Sequence, residues 1–356
     1  MLRQLLRRLF RPGSRSARAS VSPVPIVAPT AAPSAAPITV SVLDAVPSAP
    51  AAVADKTLAT NYDAAASWSQ HLELAHALQL NDPDSADNSD ASALLKLLSD
   101  GPDAVIRQLP AAARDSLTLC DDTTLTRSGV AEKLGRDPAL VQALLRTANS
   151  AAFGGGRGPV LGIEQALDRI GIAGARAVVL SSCVDGLLSH PGGEYNAMAS
   201  QVWAHMVRTA PLARTVAPAF AADADEAFAI ALLHDVGKLI IFDRISVLRA
   251  VRRRAIALSP LFIHQLLQLL HEPLGAMAAL KWGMGERATR AIGNHHRLEL
   301  HTYRDPLAES IFVAERTDHA VRRGTTYDID ALWSDGRLTG SHVRATAALH
   351  HVLAAA

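Results

Sequence analysis

The stretch from Glu226 to Phe242 constrains the fold more than any other part of the chain. No proline interrupts it, and its apolar residues run nearly all the way round a helical projection. A helix of that pattern belongs inside a bundle rather than on its surface. Yet His234, Asp235 and Lys238 fall within one turn near its middle. A buried ionisable group is costly unless it is paired or bound to a metal, so these three need partners from other helices. The segment therefore predicts a polar site inside an apolar core.

Composition supports an all-α, multi-helix bundle. Hydrophobic residues make up 49% of the 356, while aromatics contribute only 4%. Ala and Leu dominate, which favours helices over a core of β-branched and aromatic strands. A net charge of +1 gives no global reason to expect nucleic acid. Cys120 and Cys183 are too few for a disulfide framework or a Cys-based zinc site, which fits a reducing cytoplasm. No apolar run is long enough to cross a bilayer.

Residues 1–11 place Leu2, Leu5, Leu6, Leu9 and Phe10 on one helical arc and Arg3, Arg7, Arg8 and Arg11 on the other. That basic amphipathic pattern suits peripheral contact with an anionic membrane, here the inner face. Residues 12–56 carry Pro23, Pro25, Pro29, Pro33, Pro37, Pro47 and Pro50 among Ala, Ser and Val, and read as a disordered Ala/Pro-rich tether. Residues 57–104 hold two short helices, too small to bury a core alone and so expected to pack on the body of the protein. His71 and His76, five apart on different helical faces, read as surface histidines.

Leu125–Phe153 has the spacing of a helix-turn-helix, with Gly135 at the turn. Its second helix, capped by Asp137 and begun by Pro138, is apolar on most sides and carries one Arg. It is built to be packed against, so DNA binding is not expected. The Gly154–Gly158 run lacks the preceding strand and Lys-Ser/Thr of a phosphate loop and reads as a connector. Cys183, in an apolar helix without a nearby His, reads as a core residue. Residues 321–356 form a tail that is helical in part.

Seven side chains are candidates to converge: His205, His234, Asp235, His271, His295, His296 and Glu315. Imidazoles and carboxylates are the ligands of Mg, Mn, Fe or Zn sites, and a metal so held supports phosphodiester hydrolysis. Lys238 would then neutralise charge on a leaving oxygen. The alternative is a hydrogen-bonded polar cluster that sets helix register without metal.

Several blocks carry a resemblance: Leu109-Pro-Ala111, Asp137-Pro-Ala-Leu140, Leu145 to Phe153, Ile163-Glu-Gln-Ala-Leu167, Leu233-His-Asp-Val-Gly-Lys238, His271-Glu-Pro-Leu-Gly275 and Ala291-Ile-Gly-Asn-His-His296. In this order they resemble the HDOD domain, over about residues 105–320. The resemblance implies a helical relative of HD metal-dependent phosphohydrolases, found in bacterial signalling proteins and often without catalytic ligands. By analogy with HD enzymes, His205 is the first ligand, His234-Asp235 the central pair, and Glu315 stands where those enzymes carry Asp. The Gly-Tyr-Pro signature of the cyclic-di-GMP-hydrolysing branch is replaced by Arg297-Leu-Glu-Leu-His-Thr-Tyr-Arg304.

The leading expectation is thus a cytoplasmic regulatory module that works through signalling-protein partners, with a nucleotide ligand or metal in its central cleft. The alternative is an HD-type phosphohydrolase acting on a nucleotide or cyclic dinucleotide. The N-terminal reading has its own test by vesicle co-sedimentation. Deleting residues 1–11 is expected to release the protein from anionic vesicles, and unchanged binding would discard membrane docking.

Overall fold

The computed structural model describes residues 57–58, 62–82, 84, 88–154, 158–188, 195–296, 298, 303–323, 328–334 and 338–353. The expected amphipathic segment 1–11 and tether 12–56 lie outside the described residues. Helices of eight residues or more are α1 (Ala64–Asn81), α2 (Ser89–Ser99), α3 (Ala111–Asp121), α4 (Arg127–Leu134) and α5 (Pro138–Ala148). They continue with α6 (Ile163–Leu188), α7 (Asn196–Val216), α8 (Ala224–Ala231), α9 (Val236–Arg252) and α10 (Pro260–Lys281). The last are α11 (Glu286–Gly293), α12 (Pro306–Arg323) and α13 (His342–Leu353). Extended structure is limited, among the described residues, to a two-residue parallel pairing of Thr57–Leu58 with Tyr303–Arg304. The fold is all-α.

Short polar residues start the helices by accepting backbone N–H groups that would otherwise lack partners. Asp63 caps α1, Asn88 caps α2, Asp137 caps α5, Asp223 caps α8 and Ser259 caps α10. Pro138 and Pro260 follow their caps at positions where a missing N–H costs nothing. Gly171, at φ 74°, divides α6 into two helical stretches. The second helix of the apparent helix-turn-helix, α5, buries Leu140, Ala143, Leu144 and Ala148 and packs against α6.

The site-bearing layer is α7, α9, α10, α11 and α12. α7 packs along α12, α9 along α10, and α10 along α11. α1 lies against α10, and Tyr62 covers Gly293 so closely that a Cβ there would meet its ring at 2.4 Å. At the other end, the buried Glu309 carboxylate accepts the Thr339 N–H at 2.7 Å and holds the tail segment. No described helix is long and apolar enough to cross a membrane.

The expected single helix over 226–242 is corrected. The chain leaves α8 at Ala231, turns through residues 232–235, and re-enters helix at Val236. The turn is held by Leu233 N–H to Ile230 O at 3.0 Å and Val236 N–H to Leu233 O at 3.1 Å. In a continuous helix adjacent residues diverge by about 100°, so His234 and Asp235 would not face the same point. The break lets both turn inward, and both are essentially fully buried.

Gly237 permits the tightest crossing in this layer. A Cβ on it would lie 2.0 Å from the His271 carbonyl oxygen, and one on Gly275 would lie 2.8 Å from Ile292 Cγ2. The backbones of α9 and α10 therefore touch where His271 faces the His234 turn. Replacing Gly237 by Ala is expected to push the helices apart and cost about 1–3 kcal/mol, the usual range for overpacking. Urea denaturation checks this: an unchanged midpoint would show that the crossing is not tight.

Candidate metal centre

Five elements supply the seven side chains singled out in the sequence, and the structure brings all seven together. His205 comes from α7, His234 and Asp235 from the turn before α9, and His271 from α10. His295 and His296 follow α11, and Glu315 lies on α12. They form two groups that share Asp235. One is His205, His234, Asp235 and Glu315; the other is Asp235, His271, His295 and His296. Within each group the potential ligand atoms lie within 4.8 Å of one another.

The imidazoles are oriented from behind. His234 Nδ1 donates to Ala231 O, His271 Nδ1 to Leu267 O and His295 Nδ1 to Ile292 O, each at 2.7 Å. His205 Nδ1 lies 2.7 Å from Asp318 Oδ2. A carbonyl oxygen only accepts, so Nδ1 of His234, His271 and His295 carries the proton that faces the backbone and Nε2 points inward. This outer arrangement is the one that metal-ligating histidines require.

The inward atoms are imidazole nitrogens and carboxylate oxygens. Nε2 of His205, His234, His271 and His295, with Asp235 Oδ1 and Glu315 Oε2, are buried without a hydrogen-bond partner among the described residues. Asp235 divides its carboxylate between the groups: Oδ2 is 3.7 Å from His234 Nε2 and 3.9 Å from His205 Nε2. Its Oδ1 is 3.7 Å from His271 Nε2 and 3.9 Å from His295 Nε2. Glu315 Oε1 is 3.6 Å from His205 Nε2 and 3.4 Å from His296 Nε2. With one exception these separations exceed hydrogen-bond length, while Lys238 to Asp235 at 2.8 Å and His205 to Asp318 at 2.7 Å are hydrogen-bonded. Two ligands each about 2.1 Å from a cation stand about 3.0–3.4 Å apart at octahedral or tetrahedral angles. The observed spacings fit a cation after inward shifts of a few tenths of an ångström, by that ~3.0–3.4 Å measure.

Charge follows from the surroundings. Burial pushes His234 down to about 4, against the pull of Asp235. Burial also holds His271 and His296 well below their ordinary values. Burial opposes ionisation of Asp235, but Lys238, whose Nζ donates to Oδ2 at 2.8 Å, and His234 outweigh it. Glu315 is likewise kept ionised against burial by His296 and His205. His205 is the exception among the rings: burial alone would lower it, yet Asp318 and Glu315 raise it to about 9.

Sequence reasoning missed three supporting residues. Asp318, three residues after Glu315, orients His205 and is itself gripped by Arg208 Nε at 2.7 Å. His319, four after Glu315, has Nε2 3.9 Å from Glu315 Oε1 and its ring 4.8 Å from that of His205. Glu272, next to His271, accepts the His296 backbone N–H at 2.8 Å and pins the double-histidine turn. The i+3 and i+4 spacing from Glu315 was the available signal for the first two. Lys238, His296 and His319 have side chains 13%, 22% and 23% exposed, so the cluster meets solvent along this edge.

The family model of the HDOD domain matches residues 106–298. The chain belongs to the HDOD family. The matched segment contains six of the seven clustered residues and ends before Glu315. An uncharacterized protein of Treponema pallidum (strain Nichols) is 24% identical over 235 residues, which cover 63% of this chain and 44% of that relative's length. A Shewanella amazonensis SB2B protein, named provisionally as a metal-dependent phosphohydrolase, superposes with a TM-score of 0.55 at 20% identity. That likeness covers 73% of this chain and 98% of the other. An HDOD domain protein of unknown function from Geobacter sulfurreducens gives 0.52 at 19% identity, covering 70% and 90%. At these identities the likenesses show the fold.

The protonation states give a test. Below about 9 the free site carries a proton on His205 that a bound cation must displace, whereas His234, His271 and His296 are already neutral near pH 7. Metal affinity is therefore expected to rise about tenfold per pH unit from pH 6.5 and to flatten near 9, with about one proton released from His205. Calorimetric titration in buffers of different ionisation enthalpy measures this. A pH-independent affinity would contradict the assignment.

Proposed function

We propose that this HDOD chain binds two divalent cations and hydrolyses a phosphate ester or phosphodiester of a nucleotide. One observation carries the reading: six buried imidazole and carboxylate atoms from five elements converge, none with a hydrogen-bond partner among the described residues. An unpartnered buried acceptor costs about 1–3 kcal/mol, and a divalent cation bound among several of them would relieve that cost. His205, His234, Asp235 and Glu315 would hold one ion; Asp235, His271, His295 and His296 would hold the other. Imidazole and carboxylate ligands suit Mn, Fe, Zn or, with fewer nitrogens, Mg.

Cations at such a site polarise a phosphoryl oxygen and make a coordinated water acidic near neutral pH. The protein's own groups supply the rest. Lys238 keeps its ammonium charge despite burial, because Asp235 and Glu315 favour it. From the partly exposed edge it neutralises charge developing on a phosphoryl or leaving oxygen. Asp318 and Arg208 lock the His205 ring, which keeps one ligand pre-aimed.

A regulatory role through a signalling partner is compatible with this chemistry. Destroying a nucleotide messenger and changing a docking surface both begin with a phosphate-bearing ligand at the same cations. The residues that follow His296 lack the Gly-Tyr-Pro signature, so the proposal stops at a nucleotide phosphoester.

Metal analysis of freshly purified protein is expected to find about two divalent ions per chain, none of them retained by a His234→Ala/Asp235→Ala variant. Hydrolysis of bis(p-nitrophenyl) phosphate should disappear with them while the helical circular dichroism persists. Asp318→Asn, which leaves every ligand in place, is expected to weaken metal binding about 10–100-fold, as loss of a ligand-orienting partner does. Metal-free wild-type protein that also fails to take up added Mn(II) would end this reading.

A further inference from the structure

We infer that Glu315 is a second bridging carboxylate, which ties the two cation positions together so that they fill cooperatively. The inference rests on the dinuclear reading above and concerns what this chain's own residue adds to it. Asp235 spans the groups by pointing one oxygen at each. Glu315 spans them at a different place, because its Oε1 lies 3.6 Å from His205 of one group and 3.4 Å from His296 of the other. Its Oε2, buried and without a hydrogen-bond partner among the described residues, leaves a second oxygen for one of the ions.

The extra methylene is what makes this reach available. An aspartate on the same backbone would hold its carboxylate about one C–C bond, ~1.5 Å, further back. From there it would stand further from both His205 and His296 than Glu315 Oε1 does, at 3.6 and 3.4 Å. The longer side chain is what lets one carboxylate oxygen lie close to both groups.

Energetics explain why two bridges matter. Two divalent cations in one buried pocket repel each other strongly, because the local dielectric is low. Asp235 and Glu315 each set a carboxylate between the two groups, where it would screen one ion from the other. An ion bound at one position also fixes the shared carboxylates for the other, so the first ion prepares the second site.

The test uses full-length protein titrated with Mn(II), followed by calorimetry and electron paramagnetic resonance. Wild type is expected to load two ions in one cooperative step, with an exchange-coupled pair signal already present at one equivalent. Glu315→Asp should bind the second ion about 10–100-fold more weakly, the scale for disturbing a metal ligand environment, and show isolated Mn(II) at one equivalent. Glu315→Gln, which keeps the length and packing but loses the charge and one ligand oxygen, should uncouple the ions in the same way and guards against a variant that folds poorly. Retained cooperativity and pair signal in both variants would overturn the bridge while leaving a two-ion site intact. Wild type that binds no Mn(II) would instead remove both this inference and the proposed function.

Discussion

The whole arrangement turns on one buried anion. Asp235 sits in the interior with its carboxylate ionised, and its one direct charged hydrogen-bond partner is Lys238 at 2.8 Å. A single ammonium satisfies part of one oxygen and leaves Oδ1 without a hydrogen-bond partner among the described residues. Burying such a group is tolerated only where the surrounding structure compensates it. Here four other helical elements each aim an imidazole or a carboxylate at the same place. Stability and function are coupled at this point, because the groups that strain the free interior are those that a cation would satisfy.

The helices contribute more than position. Three histidines donate Nδ1–H to carbonyls three or four residues earlier in their own helix or turn, so local backbone geometry sets their tautomers. Only His205 depends on a side chain from another helix, Asp318 of α12. That difference explains why its protonation departs from that of His234 and His271: a carboxylate favours imidazolium, whereas a carbonyl in a dry interior does not. The ring most responsive to its surroundings is also the one that joins α7 to α12.

Close backbone approach supplies the remaining precision. Without a side chain at Gly237, α9 meets α10 at the His271 carbonyl, and Gly275 lets α10 meet Ile292 just ahead of the double histidine. The N-terminal helices reinforce the same side, since α1 packs on α10 and Tyr62 covers Gly293. The candidate ligands His271, His295 and His296 thus stand on elements buttressed by residues before the family segment. Glu315 and Asp318 stand on a helix beyond it.

Much of this was legible in the chain itself, for local reasons. Asp137-Pro138 and Ser259-Pro260 announce helix starts because they satisfy backbone N–H groups within their own turn. The seven ligand candidates were legible because imidazoles and carboxylates stand out against an Ala- and Leu-rich background. The break at His234-Asp235 was not, because its apolar pattern is the same whether the helix continues or turns. Asp318, His319 and Glu272 were passed over for a related reason: each acts on a residue distant in sequence or through a backbone N–H. Sequence by itself determined the helical class, the helix starts and the chemical character of the centre, all consequences of residue type and short-range spacing. Only the tertiary structure decided that two groups of candidate ligands share Asp235, that Glu315 reaches both, and that the rings turn Nε2 inward. Those facts depend on how helices far apart in the chain cross, and no local pattern encodes an interhelical distance.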